Sequence, residues 1–158
     1  MTIVSFSDYQ CPYCRKIHPT LEKLAINDPR VRIVYRDWPI FGAASEEAAR
    51  AAIASQWQDK HAPFNDALMR TEGKLTTQRI QAAATAAGVD WAQLQQDMET
   101  RGQEIDDLID RTSLQAAKMG LQGTPALLVG PYLIPGAVNY TTLTETVGMA
   151  RDFEQRSD

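Results

Sequence analysis

Sulfur and imidazole are scarce in this chain. Of its 158 residues only two are cysteines, Cys11 and Cys14, and only two are histidines, His18 and His61. Two cysteines exclude the disulfide framework that staples small secreted folds. A bond between residues three positions apart closes so short a loop that it restricts the unfolded chain very little. No apolar run approaches the ~18 residues of a membrane span. Basic residues form no stripe: 16 Lys and Arg stand among 20 Asp and Glu for a net charge of −4, so no nucleic-acid partner is expected. There are no repeats and no low-complexity linkers. No leader-like segment precedes the first strand-like run, TIVSFS, which fits a cytosolic protein and a trimmed mature form equally. What is present is 44% hydrophobic residues, enough for a proper core, in a length suited to one domain or one domain with an inserted lobe.

The β-rich run TIVSFS predicts a strand. Asp8-Tyr9-Gln10 turns the chain, and Pro12 occupies a first helical position, where its missing N–H costs nothing. Ile17, Leu21, Leu24 and Ala25 then recur at helical spacing until Asn27-Asp28-Pro29. VRIVYRD predicts a second strand, closed by Trp38-Pro39, so the chain opens as a parallel βαβ unit. From Ala43 to about Met119 it is alanine-rich and contains no strand candidate. Helices are expected near 45–58, 62–72, 77–87, 90–101 and 103–119, the first started by Ser45 with Glu46 and Glu47, and the fourth capped by Asp90. ALLVG and YLIPG predict a hairpin turning at Gly130-Pro131. A last helix follows from Tyr140 to about Phe153, with Leu143, Val147 and Ala150 on one side. The expected fold class is α/β, a mixed central sheet with helices around it and an inserted helical lobe: residues 1–42 and 120–158 form the core and 43–119 the lobe, whose last helix packs on the core.

Two sulfurs that do little for stability invite a chemical reading. Cys11 falls at the N-cap of the first helix and Cys14 one turn in. Unpaired N–H groups and the positive helix end favour an anion beside Cys11, which lowers the thiol pKa. A thiolate there can attack a partner disulfide, and Cys14 stands close enough to resolve the mixed disulfide. Pro12 and Tyr13 set the geometry between them. This chemistry expects Cys11 partly exposed and Cys14 shielded. A lone CxxC also fits half of a zinc site, with His18 as a third ligand on the same helix face, although structural zinc wants four ligands. His18 otherwise reads as a packed or solvated helix residue and His61 as a helix-start residue. Gly123-Thr124-Pro125 stands just before the ALLVG strand, where a strand-opening proline is ordinarily trans.

FSDYQCPYC, the helical insert and GTPALLVG, in this order and over nearly the whole chain, resemble the DsbA-like thiol:disulfide oxidoreductases of the thioredoxin superfamily. The resemblance implies a thioredoxin fold with Cys11 as the attacking and Cys14 as the resolving cysteine, Pro125 as a cis-proline facing the sulfurs, and Thr124 touching them and offering its backbone to an extended peptide by strand addition. Pro12, Tyr13, Thr124 and Pro125 are thus the expected substrate-binding residues. Neither a metal nor an organic cofactor is implied. Protein or peptide thiols and disulfides are the implied substrates, a membrane-bound or soluble redox protein resets the disulfide, and a monomer is expected. Disulfide formation places the protein in the periplasm or otherwise outside the cytosol. Ser5 stands where many thioredoxin-like proteins bury an acid, and Asp8, nearer the sulfurs, reads as a turn hydrogen-bonder. The four letters CPYC also occur in glutaredoxin-like reductases, so a reductase or isomerase stays open, as do a metal-binding module built on the CxxC and a redox-silent peptide-binding module.

Tyr9, Tyr13, Trp38, Pro39 and Phe41 fit either an exposed apolar face or plain core. Trp57 and Trp91 read as the packing of the helical block. Asp106, Asp107 and Asp110 read as a solvated helix face, since no calcium-binding loop surrounds them.

Overall fold

A computed structural model describes residues 1–157. Asp158, the last residue of the expected core segment 120–158, lies outside them. The chain begins with strand β1 (Thr2–Ser7), helix α1 (Pro12–Asn27) and strand β2 (Arg32–Asp37). The helical block follows: α2 (Ala43–Ala54) running into a 3₁₀ turn (Ser55–Gln58), α3 (His61–Met69), α4 (Thr77–Ala86), α5 (Trp91–Thr100) and α6 (Gly102–Lys118). Strands β3 (Ala126–Val129) and β4 (Tyr132–Pro135) and helix α7 (Tyr140–Ser157) close the fold. The four strands form one mixed sheet in the order β2-β1-β3-β4. β1 pairs β2 in parallel, from Thr2↔Arg32 to Ser7↔Asp37, and pairs β3 antiparallel, from Ile3↔Val129 to Phe6↔Ala126.

Alternation along β1 divides the core. Ile3 packs with Ile17, Leu21 and Leu24 of α1 and with Leu143, Val147 and Ala150 of α7. Val4 and Phe6 fall in a cluster on the other face with Ala116 of α6, Ala126 and Trp38. The sheet therefore lies between α1 and α7 on one side and α6 on the other, a three-layer arrangement. A third cluster belongs to the helical block: the buried alanines of α2 pack with Phe64, Leu68, Ile80, Leu94 and Ile105, and Trp57 and Trp91 lie against them. Both cysteines and Tyr9 belong to this third cluster and not to either face of the sheet. The α1 N-terminus is thus seated on the helical block.

Several boundaries differ from the sequence reading. α2 begins at Ala43, behind Gly42 at φ +91 with no side-chain cap, and not at Ser45, whose hydroxyl is spent elsewhere, on the buried Asp8 carboxylate. α3 begins at His61 and takes Pro63 into its first turn, where no intrahelical donor is lost. α1 runs on through Pro19, which the spacing did not flag, and α7 reaches Ser157, four residues past Phe153. Asp90 caps α5 as expected, its side chain accepting from the Gln93 amide at 3.0 Å.

A buried polar network fastens the block to the sheet. The Tyr9 hydroxyl donates to Asp37 Oδ1 at 2.7 Å, at the end of β2, and accepts from Asn65 Nδ2 of α3 at 3.0 Å. His61 Nε2 lies 3.1 Å from Asp37 Oδ2. Burial opposes a charge on His61, but the hydrogen bond and the charge of Asp37 outweigh it and raise the imidazole pKa. Burial, then the Asp37 charge, push the Tyr9 phenol well up, so it stays a donor. Tyr9→Phe keeps the ring and strands both partners, and a loss of about 1–3 kcal/mol is expected in urea unfolding. A loss below about 0.5 kcal/mol would mean that the network is dispensable.

Candidate active site

The chain meets its first helix by way of Cys11. At φ −72° and ψ 118° this residue is the N-cap of α1, with Pro12 opening the helix, and its Sγ accepts the Cys14 amide proton at 3.3 Å. No acidic side chain occupies the first turn to compete for the helix's positive end. From 113 positions along the chain, the Thr124 carbonyl oxygen comes within 3.4 Å of the Cys11 Sγ and accepts its S–H. The Thr124–Pro125 peptide is cis and Pro125 is buried. Both thiols are free. Among the residues singled out in the sequence, Cys11, Cys14 and Thr124 are brought together at the end of α1, with Pro125 following directly. Pro12 is exposed beside them, as is Tyr13 at 62%.

One expectation about the sulfurs is corrected. Cys11 is not partly exposed: only 1% of its surface is open, as for Cys14. As an N-cap its side chain folds back over the helix end, and the Thr124 carbonyl and the apolar cluster of the helical block cover it. The chemical difference between the two sulfurs comes from hydrogen bonding and not from exposure. The hydrogen bond from the Cys14 side chain is the largest influence on Cys11. Burial opposes it, but Thr124 and the backbone at Cys14 and Tyr13 reinforce it, and the thiol falls to about 6. Cys14 moves the other way, pushed far up first by its side-chain hydrogen bond to Cys11 and then by burial. The two thiols are thus driven in opposite directions within one helical turn, Cys11 towards the thiolate and Cys14 towards the protonated form.

The surrounding turn is held by charged groups. Asp8 is buried, and its carboxylate accepts from the Gln10 amide at 2.7 Å, the Ile40 amide at 2.7 Å, the Phe41 amide at 3.2 Å and the Ser45 hydroxyl at 2.7 Å. It is the turn hydrogen-bonder expected, with a reach that extends to the loop after β2 and to α2. Ser5, in β1, is buried. Of the aromatic residues, Tyr9 is core, Trp38 packs edge-on against Phe6 with ring centres 6.3 Å apart, and Tyr13 and Phe41 are exposed.

His18 belongs elsewhere. It is buried, and its Nε2 lies 3.0 Å from Asp66 and 3.6 Å from Glu22. Those three residues are the one group of three potential metal ligands within mutual reach among the described residues, and Arg70 already spans it, 2.6 Å from Asp66 and 2.5 Å from Glu22. The cluster is an ion-pair clasp between α1 and α3, and it leaves the CxxC without the histidine that a zinc patch on α1 requires. Asp106 is drawn into an ion pair with Arg50, while Asp107 accepts from Gln103 at 2.9 Å, so the acidic face of α6 is partly paired.

Residues 2–148 match the family described as a DSBA-like thioredoxin domain. The chain belongs to this family. DsbA-like domains are thiol–disulfide oxidoreductases, and similar solved structures agree in fold. A thioredoxin-like oxidoreductase from Silicibacter pomeroyi DSS-3 superposes with a TM-score of 0.90 at 42% identity, over 96% of this chain and 86% of that one. The thiol-disulfide exchange protein alpha-DsbA2 from Wolbachia pipientis gives 0.88 at 29% identity, over 94% and 80%. A periplasmic thioredoxin-like protein from Salmonella enterica serovar Typhimurium gives 0.82 at 33% identity, over 94% and 83%. Among curated proteins, a probable disulfide bond formation protein D from Bacillus anthracis is 27% identical over 140 residues, covering 80% of this chain and 64% of its own length. A Na(+)/H(+) antiporter NhaA 1 from Salinispora arenicola is 25% identical over 95% of this chain, which spans only 23% of that polypeptide. No helix among the described residues is long and apolar enough to cross a membrane.

Sequence spacing passed over Gln10, Arg15 and Asn65, which hold the site from outside the motif. Arg15 carried a signal, a basic residue directly after the second cysteine on the helix that Cys11 caps. Asn65 carried none, because its partner Tyr9 lies 56 residues away.

The thiol geometry makes two linked predictions. Thiolate absorbance of the reduced protein should titrate with one midpoint near 6, from Cys11, and no second midpoint below about 9. Thr124→Val removes the hydroxyl next to both sulfurs and should raise the Cys11 midpoint by about half a unit or more. A wild-type midpoint above about 8 would mean that Cys11 is an ordinary thiol.

Proposed function

We propose that this domain forms disulfides in extracytoplasmic proteins by exchanging a Cys11–Cys14 disulfide with client thiols. A client thiolate attacks the Cys11 sulfur, a client–Cys11 bond forms and the Cys11–Cys14 bond breaks, leaving Cys14 as the departing sulfur, which takes up a proton. A second client thiolate then attacks the client sulfur of the mixed disulfide. The client leaves oxidised, Cys11 departs as thiolate, and the domain holds two electrons more as the dithiol. A redox protein in the membrane or in solution returns the pair to the disulfide.

The single observation behind the oxidising direction is the asymmetry of the two thiols. A Cys11 thiol lowered to about 6 makes its thiolate a good leaving group and stabilises the reduced form, which drives electrons from client to enzyme. The Cys14 side chain contributes most to that lowering, burial of Cys11 works against it, and the Thr124 side chain and the backbone at Cys14 and Tyr13 add to it.

Residues beside the sulfurs suit an extended peptide with little sequence preference. Thr124 and Pro125 lie in a groove with Gln122, Gly123, Leu133 and Pro135, where main-chain hydrogen bonding to the client is the expected mode. Pro12 and Tyr13 stand exposed next to Cys11, and Tyr13 also borders a groove with Lys16, Val138 and Tyr140. In this reading residues 1–42 and 120–157 are the catalytic core, and the helical lobe 43–119 covers its active-site end. Disulfides persist outside the cytosol, and a similar Salmonella structure is of a periplasmic protein, so a periplasmic or otherwise extracytoplasmic site fits the chemistry.

Cys14→Ser should accumulate a stable mixed disulfide between Cys11 and a reduced client, visible on non-reducing gels, while Cys11→Ser should form none and lose activity. The reduction potential of the wild-type pair decides direction. A value above about −180 mV supports the oxidising role, and one near about −270 mV, with efficient insulin reduction, would overturn it in favour of a reductase.

A further inference from the structure

Beside the sulfurs and the buried Asp8, one basic side chain is tied down at the start of α1, Arg15. Its own amide donates to the Cys11 carbonyl at 3.1 Å, so it stands one helical turn from the nucleophile. Its Nε donates to the Tyr9 carbonyl at 2.8 Å and its Nη1 to the Gly73 carbonyl at 2.7 Å. Nη2 is buried and has no hydrogen-bond partner. Tyr9 lies in the turn that delivers Cys11, and Gly73, at φ +72, lies in the loop between α3 and α4. The same two segments are joined again nearby, where the Gln10 side-chain oxygen accepts the Leu75 amide at 2.5 Å. Arg79 holds that loop from its other side through the carbonyls of Glu72 and Lys74.

None of the three acceptors around Arg15 is anionic, so its positive charge is not cancelled by an ion pair. The negative groups whose charge favours its own are Asp8 and Cys11, while Arg79 and burial oppose it. The Asp8 carboxylate is already surrounded by four donors. Facing Cys11 itself are Cys14, Thr124 and the backbone of Tyr13. The two carbonyl bonds of Arg15 hold the guanidinium of this half-buried residue beside the helix start, where its field is screened less than at a free surface.

We propose that Arg15 is a positioning residue for thiol–disulfide exchange: bridged between the Tyr9 and Gly73 carbonyls, its fixed charge favours the Cys11 thiolate and its two bonds lock the helical lobe onto the turn that presents the sulfur. The proposal rests on Cys11 being the sulfur that exchanges with the client. Arg is required over Lys for the bridge, because a single ammonium does not reproduce a planar fork between two carbonyls, whereas either residue supplies the charge.

Arg15→Met and Arg15→Lys separate the two contributions. Arg15→Met should raise the Cys11 thiolate midpoint by about half a unit to one unit and make the pair more reducing against glutathione. Arg15→Lys should return the midpoint to within about 0.3 units of wild type while leaving faster amide exchange at Gly73 and Leu75 than in wild type. An unchanged midpoint in folded Arg15→Met, whatever its melting temperature, overturns the electrostatic role. If Arg15→Met does not fold, Arg15→Lys with unchanged amide exchange at Gly73 and Leu75 overturns the bridge, and Arg15→Gln supplies the charge-free comparison. Absence of any mixed disulfide in Cys14→Ser would instead defeat the exchange reading, leaving the midpoint comparison as an independent measure of Arg15.

Discussion

The hydrogen bonds that converge on one sulfur govern this structure. Cys11 Sγ accepts the Cys14 amide and meets the Cys14 thiol, both within one turn of the same helix, and together these outweigh the cost of burying a thiolate. Everything around the site keeps that turn from relaxing. Asp8 binds four donors from three segments, Pro12 starts the helix directly after the sulfur, and the Thr124 carbonyl closes over it from a strand entrance 113 residues away. An exposed surface thiol would need none of this support. A buried one at a helix end does, since small displacements would exchange donors for empty space.

Seating the α1 N-terminus on the helical block gives the lobe a second purpose beyond covering the sheet. Four separate ties cross from the lobe to the βαβ unit: Ser45 of α2 on Asp8; Tyr9, Asp37, His61 and Asn65 under the turn; Gln10 and Arg15 reaching the 73–75 loop; and the His18, Glu22, Asp66 and Arg70 clasp farther along α1. Two of the four set a histidine against a carboxylate, His61 on Asp37 and His18 on Asp66, at sites only partly open to water, where pairing counts for more than it does at a free surface. The site is therefore built between core and lobe and not on the core alone, which explains why both sulfurs fall in the lobe's apolar cluster.

The sequence declared its elements well where local rules decide them. A β-rich run ended by Asp8-Tyr9-Gln10, a proline opening α1, Asp90 capping α5 and Gly130-Pro131 between two apolar runs each lie where a turn, cap or strand is fixed by residues within a few positions. It was less legible where partners are distant. Ser45 looks like a cap and is instead a donor to Asp8, 37 residues away. Cys11 looks exposed because a nucleophile should be, and it is covered by a residue that no nearby spacing reveals. Tyr9 reads more readily as core than as an exposed aromatic, and it is core, but its hydroxyl's two distant partners are what spacing does not reveal. The CxxC at a helix start, followed much later by Thr-Pro at a strand start, was readable because both motifs are local. That they meet is a property of the sheet order.

The most direct test of the ionised sulfur is the stability of the dithiol form relative to the disulfide form as a function of pH. A thiol whose folded pKa lies below its unfolded value near 8.5 stabilises the folded dithiol fully above that value and loses the contribution as pH falls through the folded pKa. With Cys11 at about 6, the melting temperature of reduced protein should gain on that of oxidised protein between pH 6 and pH 8, other groups cancelling between the two forms. A difference that stays flat over this range, or moves in favour of the disulfide, would contradict the account.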